Sequence, residues 1–132
     1  MVSEHDAALL RRFYKALNGG DFDAVMGLCD QEVEVYVSPD VVRSVPPRGH
    51  RDVKAWLRGW FDSWHDYQPE PEDFVEAGDQ VVALVHLRAR GKGSRFEIDE
   101  EIADVFEVDE GKISMLRLYV ERDVALAQAQ HN

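Results

Sequence analysis

The chain has 132 residues, enough for one compact domain with a real core and too few for two ordinary ones. Apolar residues make up 45%, a globular rather than a disordered composition. Lys and Arg number 15 against 26 Asp and Glu, and the resulting net charge of -11 argues against a surface that neutralises nucleic-acid phosphates or an anionic membrane.

The first helix is marked by Ser3 with Asp6 three residues on, a capping-box spacing, and by Leu10, Phe13, Tyr14 and Leu17 on one apolar stripe. Asn18-Gly19-Gly20 stops it. Asp21 caps a short second helix in which Phe22, Val25, Met26 and Cys29 repeat the helical spacing. The alternation Val33-Glu34-Val35-Tyr36-Val37 predicts a strand, and Pro39, Pro46 and Pro47 mark an irregular stretch after it. A third helix over 51–64 carries Val53, Trp56, Leu57, Trp60, Phe61 and Trp64, an aromatic stripe suited to a core or a pocket wall. Strands follow over 67–77, whose Pro69 and Pro71 favour an edge, then over 80–90, 95–108 and 113–121. A short helix closes the chain at 124–130. The order predicts an α+β fold: helices packed on one face of an antiparallel meander, in a single domain spanning 1–132 without repeat or linker.

One cysteine, Cys29, excludes an intramolecular disulfide framework and reads as a packed core thiol. The N-terminus lacks a basic region followed by an apolar one, and no apolar run approaches a membrane span. A cytoplasmic protein with no membrane and no nucleic-acid partner is the expectation. The five histidines show no ligand spacing, so no metal site is expected. Gly91-Lys92-Gly93-Ser94 joins two strands and lacks the upstream glycine of a phosphate loop, so it reads as a hairpin turn.

The acidic strand is the informative segment. Eight acidic residues lie between Glu97 and Glu110 with no Lys or Arg among them. Even positions carry Phe96, Ile98, Ile102, Phe106 and Val108, so the even face is the buried one, and Glu100 and Asp104 share it. A buried carboxylate without a partner costs several kcal/mol, so such a group takes a proton, finds a cation or lines a cavity. The preceding strand leaves two readings open. Its odd face (Val81, Ala83, Val85, Leu87, Ala89) is wholly apolar and suits either the core or a subunit interface. In the second case His86 and Arg88 enter the cavity and pair with Asp104 or Glu100.

The runs LLRRFYKALNGGDFDAVMGLCDQEVEVYV, GHRDVKAWLRGW and DVFEVDEGKISMLRLYVERDVAL resemble the NTF2-like superfamily, and within it the SnoaL-like, ketosteroid-isomerase-like branch. The resemblance implies an NTF2-like cone, with a curved antiparallel sheet covered by three N-terminal helices around an apolar pocket, and a homodimer formed through the sheet. Carried across residue by residue, the oxyanion-hole tyrosine falls at Phe13, with Tyr14 one step away. The general-base aspartate falls at Val37 and the supporting tyrosine at Leu57. The aspartic acid kept neutral by its apolar site falls at Asp104, the one match. The acid that some polyketide cyclases carry on the last strand is absent, since Leu116, Leu118 and Val120 occupy the inward positions. The resemblance therefore implies no typical steroid isomerase and no cofactor. It implies a small apolar ligand, with Asp104, His86 and Glu100 as acid–base candidates. Phe13, Tyr14, Val37, Trp56, Leu57, Trp60, Arg88, Leu116 and Leu118 are the expected ligand-binding residues.

Overall fold

The computed structural model describes residues 3–36, 46–93 and 97–130. Ser3 accepts a hydrogen bond from the Asp6 backbone N–H at 3.1 Å and starts α1 (Glu4–Asn18), whose Leu9, Leu10, Phe13, Tyr14 and Leu17 are buried. Gly20, at φ 72, turns the chain out of the helix in a conformation that glycine adopts without strain. Asp21 accepts from Ala24 N–H and caps α2 (Phe22–Gly27). The helix stops before Cys29, the last member of the expected helical stripe, because Ile113 N–H donates to Leu28 O at 3.0 Å and draws the chain into the sheet. Cys29 opens β1 (Cys29–Tyr36) and is buried, with its thiol pushed up to about 12 chiefly by burial.

α3 (Gly49–Asp62) buries Val53 and Leu57 and ends where the Ser63 hydroxyl donates to Trp60 O at 2.6 Å. Trp64, expected at the end of this helix, instead begins β2 (Trp64–Ala77). β3 (Gln80–Gly91), β4 (Glu97–Asp109) and β5 (Lys112–Val120) complete a meander, and α4 (Arg122–Gln130) follows. The sheet order is β1-β5-β4-β3-β2. It is curved, unclosed and mixed: the meander pairs antiparallel, but β1 lies parallel to β5, so the expectation of a purely antiparallel sheet fails at that edge. β2 is the other edge, as its prolines require, with a register shift between Pro71 and Asp73.

Each face of the sheet has its own apolar cluster. On the inner face Val81, Ala83, Val85, Leu87 and Ala89 of β3 join Ile102 and Phe106 of β4 beneath α1, α2 and α3. On the outer face Val82, Ala103, Val105 and Met115 pack with Ala125 of α4. The wholly apolar face of β3 thus belongs to the core, and the reading that made it a subunit interface is overturned. The mixed face divides along its length. Val82 and Leu84 lie in the cluster with α4, while His86, Arg88 and Arg90 continue toward the polar end of the strand.

Arg122 fastens α4 to the sheet. Its guanidinium donates to the carbonyl oxygens of Ile102 and Val85, each at 3.2 Å, and reaches Glu72 at 2.6 Å and Glu101 at 3.3 Å. The carboxylates are largely exposed and contribute little, whereas the two strand carbonyls are part-buried and need a donor. Arg122→Ala is expected to destabilise the fold by about 1–3 kcal/mol. Urea unfolding measures this, and an unchanged midpoint would show that α4 is held by its apolar contacts alone.

Candidate functional site

Asp104 lies in the middle of β4, opposite Ala83 of β3, and is 2% exposed. The Tyr14 hydroxyl donates to Asp104 Oδ2 at 2.5 Å, a buried bond joining residues 90 apart in sequence. Phe13 and Phe106 hold the phenol by edge-to-face contacts at 5.3 and 6.0 Å. Burial, then the Asp104 charge and hydrogen bond, then Tyr67, raise the Tyr14 hydroxyl well above its ordinary value of 10.0. Tyr14 therefore keeps its proton and remains a donor at any pH the folded chain meets.

The resemblance aligned the oxyanion-hole tyrosine with Phe13, yet Tyr14 reaches Asp104 and Phe13 walls the cavity beside it. Neighbouring helical residues point about 100° apart, but the buried stripe of α1 is wide enough to turn both inward.

Asp104 borders a small cavity between the inner sheet face and the helices. Phe13, Leu57, Trp60, Leu116 and Leu118, all expected there, line it. So do Leu17, Phe61, Tyr67 and Pro69, which sequence reasoning missed. Tyr67 could have been found from strand pairing, since it lies opposite Ala89 on the inner face. Trp56 stacks on Trp60 with ring centroids 5.6 Å apart and planes at 14°. The free volume is only about 10 Å³, room for about one water. Trp60 Nε1 is buried and has no hydrogen-bond partner.

Two acid–base candidates are not brought to Asp104. His86 projects from the outer face of β3 and bonds Asp99, whose carboxyl is held below its usual range chiefly by that hydrogen bond. Arg88 is exposed on the same face, opposite Asp99 in register. Glu100 keeps the parity of Asp104 but lies four residues nearer the start of β4, where it is exposed rather than buried. Val37 falls outside the described residues. Among the described residues no group of three His, Cys, Asp or Glu side chains is placed to hold a metal. No helix among them is long and apolar enough to cross a membrane.

The family model of the SnoaL-like domain matches residues 10–115. A search of curated protein sequences gives no significant match. Among solved structures, an NTF2-like protein of unknown function from Burkholderia pseudomallei is similar at TM-score 0.78 and 16% identity, over 95% of this chain and 97% of the other. A Jannaschia protein assigned to the SnoaL-like polyketide cyclases is similar at TM-score 0.76 and 16% identity, over 98% and 95% of the two chains. A protein of ketosteroid isomerase-like fold from Catenulispora acidiphila, solved with trimethylamine, is similar at TM-score 0.74 and 15% identity, over 92% and 91%. At these identities the likeness is one of fold.

The raised Tyr14 value sets a pH dependence. An unfolded chain releases the phenol proton near pH 10 while the folded one retains it, so its stabilising contribution is whole below pH 10 and falls as pH rises further. Unfolding free energy is expected to drop between pH 10 and 11 more steeply in the wild type than in Tyr14→Phe, by up to about 1.4 kcal/mol per pH unit. Tyr14→Phe is itself expected to cost about 1–3 kcal/mol at pH 7, since Asp104 loses a buried donor. Parallel slopes for the two proteins in denaturant titrations would contradict the assignment.

Proposed function

The chain belongs to the SnoaL-like domain family, and we propose that its inner cavity takes a small, largely apolar carbonyl or polyketide-like compound on which Asp104 performs acid–base chemistry of the isomerase, cyclase or hydratase type. The observation that carries this reading is the Tyr14–Asp104 hydrogen bond, buried and bordering an otherwise apolar cavity. Charge that develops in such a place is stabilised by fixed dipoles rather than by water.

The chemistry follows from the proton inventory. A ligand oxygen beside Asp104 accepts the proton of the carboxyl as negative charge grows on it. The carboxylate left behind is stabilised by the Tyr14 hydroxyl, which donates to Oδ2 without surrendering its own proton. The carboxylate then takes a proton from the ligand carbon next to the carbonyl, and those C–H electrons form the new C=C bond. Asp104 ends protonated, and the net change is one proton moved from carbon to oxygen. Tyr14 is thus a positioning and stabilising group and Asp104 the one that carries the proton. The apolar walls hold the body of the ligand, and the cavity must widen to admit anything larger than about one water.

One observation favours a second reading, a non-catalytic dimeric module that holds an apolar ligand or joins a larger assembly. Asp104 is the only carboxyl lining the cavity among the described residues, and no imidazole lines it. A proton on carbon has no separate base there. In this reading Asp104 and Tyr14 anchor the ligand's oxygen and no bond changes.

Asp104→Asn separates the two. A thermal-shift screen with small cyclic ketones, followed by mass spectrometry of the incubated compounds, is the measurement. Catalysis is expected to appear as conversion by the wild type that falls at least about 100-fold in Asp104→Asn, the lower range for loss of a general acid. Stabilisation without conversion would favour the binding module. An Asp104→Asn protein that converts a compound at the wild-type rate would remove Asp104 from the chemistry. For the module, sedimentation measures the homodimer, and a monomer mass at micromolar concentration would remove it.

A further inference from the structure

Trp60 carries an anomaly that a wall residue does not explain. Its ring is fixed on several sides: stacked on Trp56, edge-on to Tyr67 at 5.9 Å and tilted against Trp64 at 6.1 Å. Its indole N–H is buried and has no acceptor among the described residues. A buried donor left unmade is costly, and the great majority of such groups find a partner. Trp60 cannot swing Nε1 toward solvent without breaking these aromatic contacts. The same side chain lines the cavity that Asp104 borders.

We propose that Trp60 Nε1–H is a specificity-determining donor for the ligand, bonding a neutral carbonyl oxygen in the cavity and selecting carbonyl compounds over hydrocarbons of the same shape. This rests on the cavity being the ligand site. A tryptophan N–H donates only, so its partner is an acceptor. A neutral acceptor suits the chain better than a carboxylate, because the net charge is -11 and the neighbouring polar group is itself an acid. A hydrocarbon in the same place leaves the N–H unpaired, and a site built to make a buried hydrogen bond rejects the analogue that cannot.

The test uses 1-indanone and indane, which differ at one carbonyl group, titrated into the full chain and into Trp60→Phe. Wild type is expected to bind 1-indanone about tenfold more tightly than indane, equivalent to about 1.4 kcal/mol. Trp60→Phe is expected to reduce that preference to within about twofold, the ratio of the two affinities being the readout whatever the variant's absolute affinity. If Trp60→Phe does not fold, the indole N–H signals of the 15N-labelled wild type give the same answer. The Trp60 signal should move downfield with 1-indanone and stay in place with indane. Equal binding of the two compounds by the wild type, or a preference that survives in Trp60→Phe, overturns the role of Trp60 and leaves the cavity reading intact. A preference lost in Asp104→Asn but retained in Trp60→Phe assigns the oxygen to Asp104 alone and overturns it too. Failure of both compounds to bind overturns the cavity reading and this inference with it.

Discussion

A carboxyl placed at the centre of a sheet, under three helices, cannot be left to water. Asp104 must be met by a donor from the protein, and the donor comes from the first helix, 90 residues away. That hydrogen bond ties two independent choices together. It requires α1 to present Tyr14 inward and β4 to keep its even positions on the inner face. A slip of one residue in β4 would carry Asp104 into the cluster beneath α4, where Val82 and Met115 offer no partner, and would turn Phe106 away from Phe13 and Tyr14. The bond and the aromatic packing around it therefore specify the same register.

The fold was legible from the chain because its strongest signals were local and agreed with one another. The stripe of α1, the prolines of β2 and the parity of β4 each pointed to an element and to a face. The mixed sheet was less legible, since a parallel partner for β1 depends on a pairing with β5 some 80 residues away that leaves no local trace. The site was half legible. Asp104 was found because an acid at a core position breaks the pattern around it. Tyr14 was within the stripe, but a helical periodicity assigns a face, not which of two adjacent rings reaches across the core.

His86 and Arg88 were misplaced for a more instructive reason. Placing them in the cavity requires the odd face of β3 to be an interface. An uninterrupted apolar face is stronger testimony than two polar residues on the other side, because five buried aliphatic side chains outweigh one ion pair that must itself be desolvated. At Asp104 Oδ2 the structure places a phenol, a donor that adds no charge to the core. The acidic run is resolved by the same geometry. Asp99 meets His86, Glu101 meets Arg122 and Glu107 meets Gln80, so its outward members sit on the sheet surface among partners rather than in a solvated tail.

Among the described residues this core holds an acid buried among apolar side chains and an indole N–H buried with no acceptor. Both belong to side chains that line one cavity. A protein selected for stability alone would replace the acid with an aliphatic residue and let the indole nitrogen reach water, since each substitution removes a desolvation cost. Both groups line one cavity whose other walls are largely apolar, and under the proposed function they mark its polar end. On that reading the acid and the indole meet the oxygen of a ligand whose carbon body lies against the apolar walls. The two polar side chains, more than the volume between them, then set what the cavity can take.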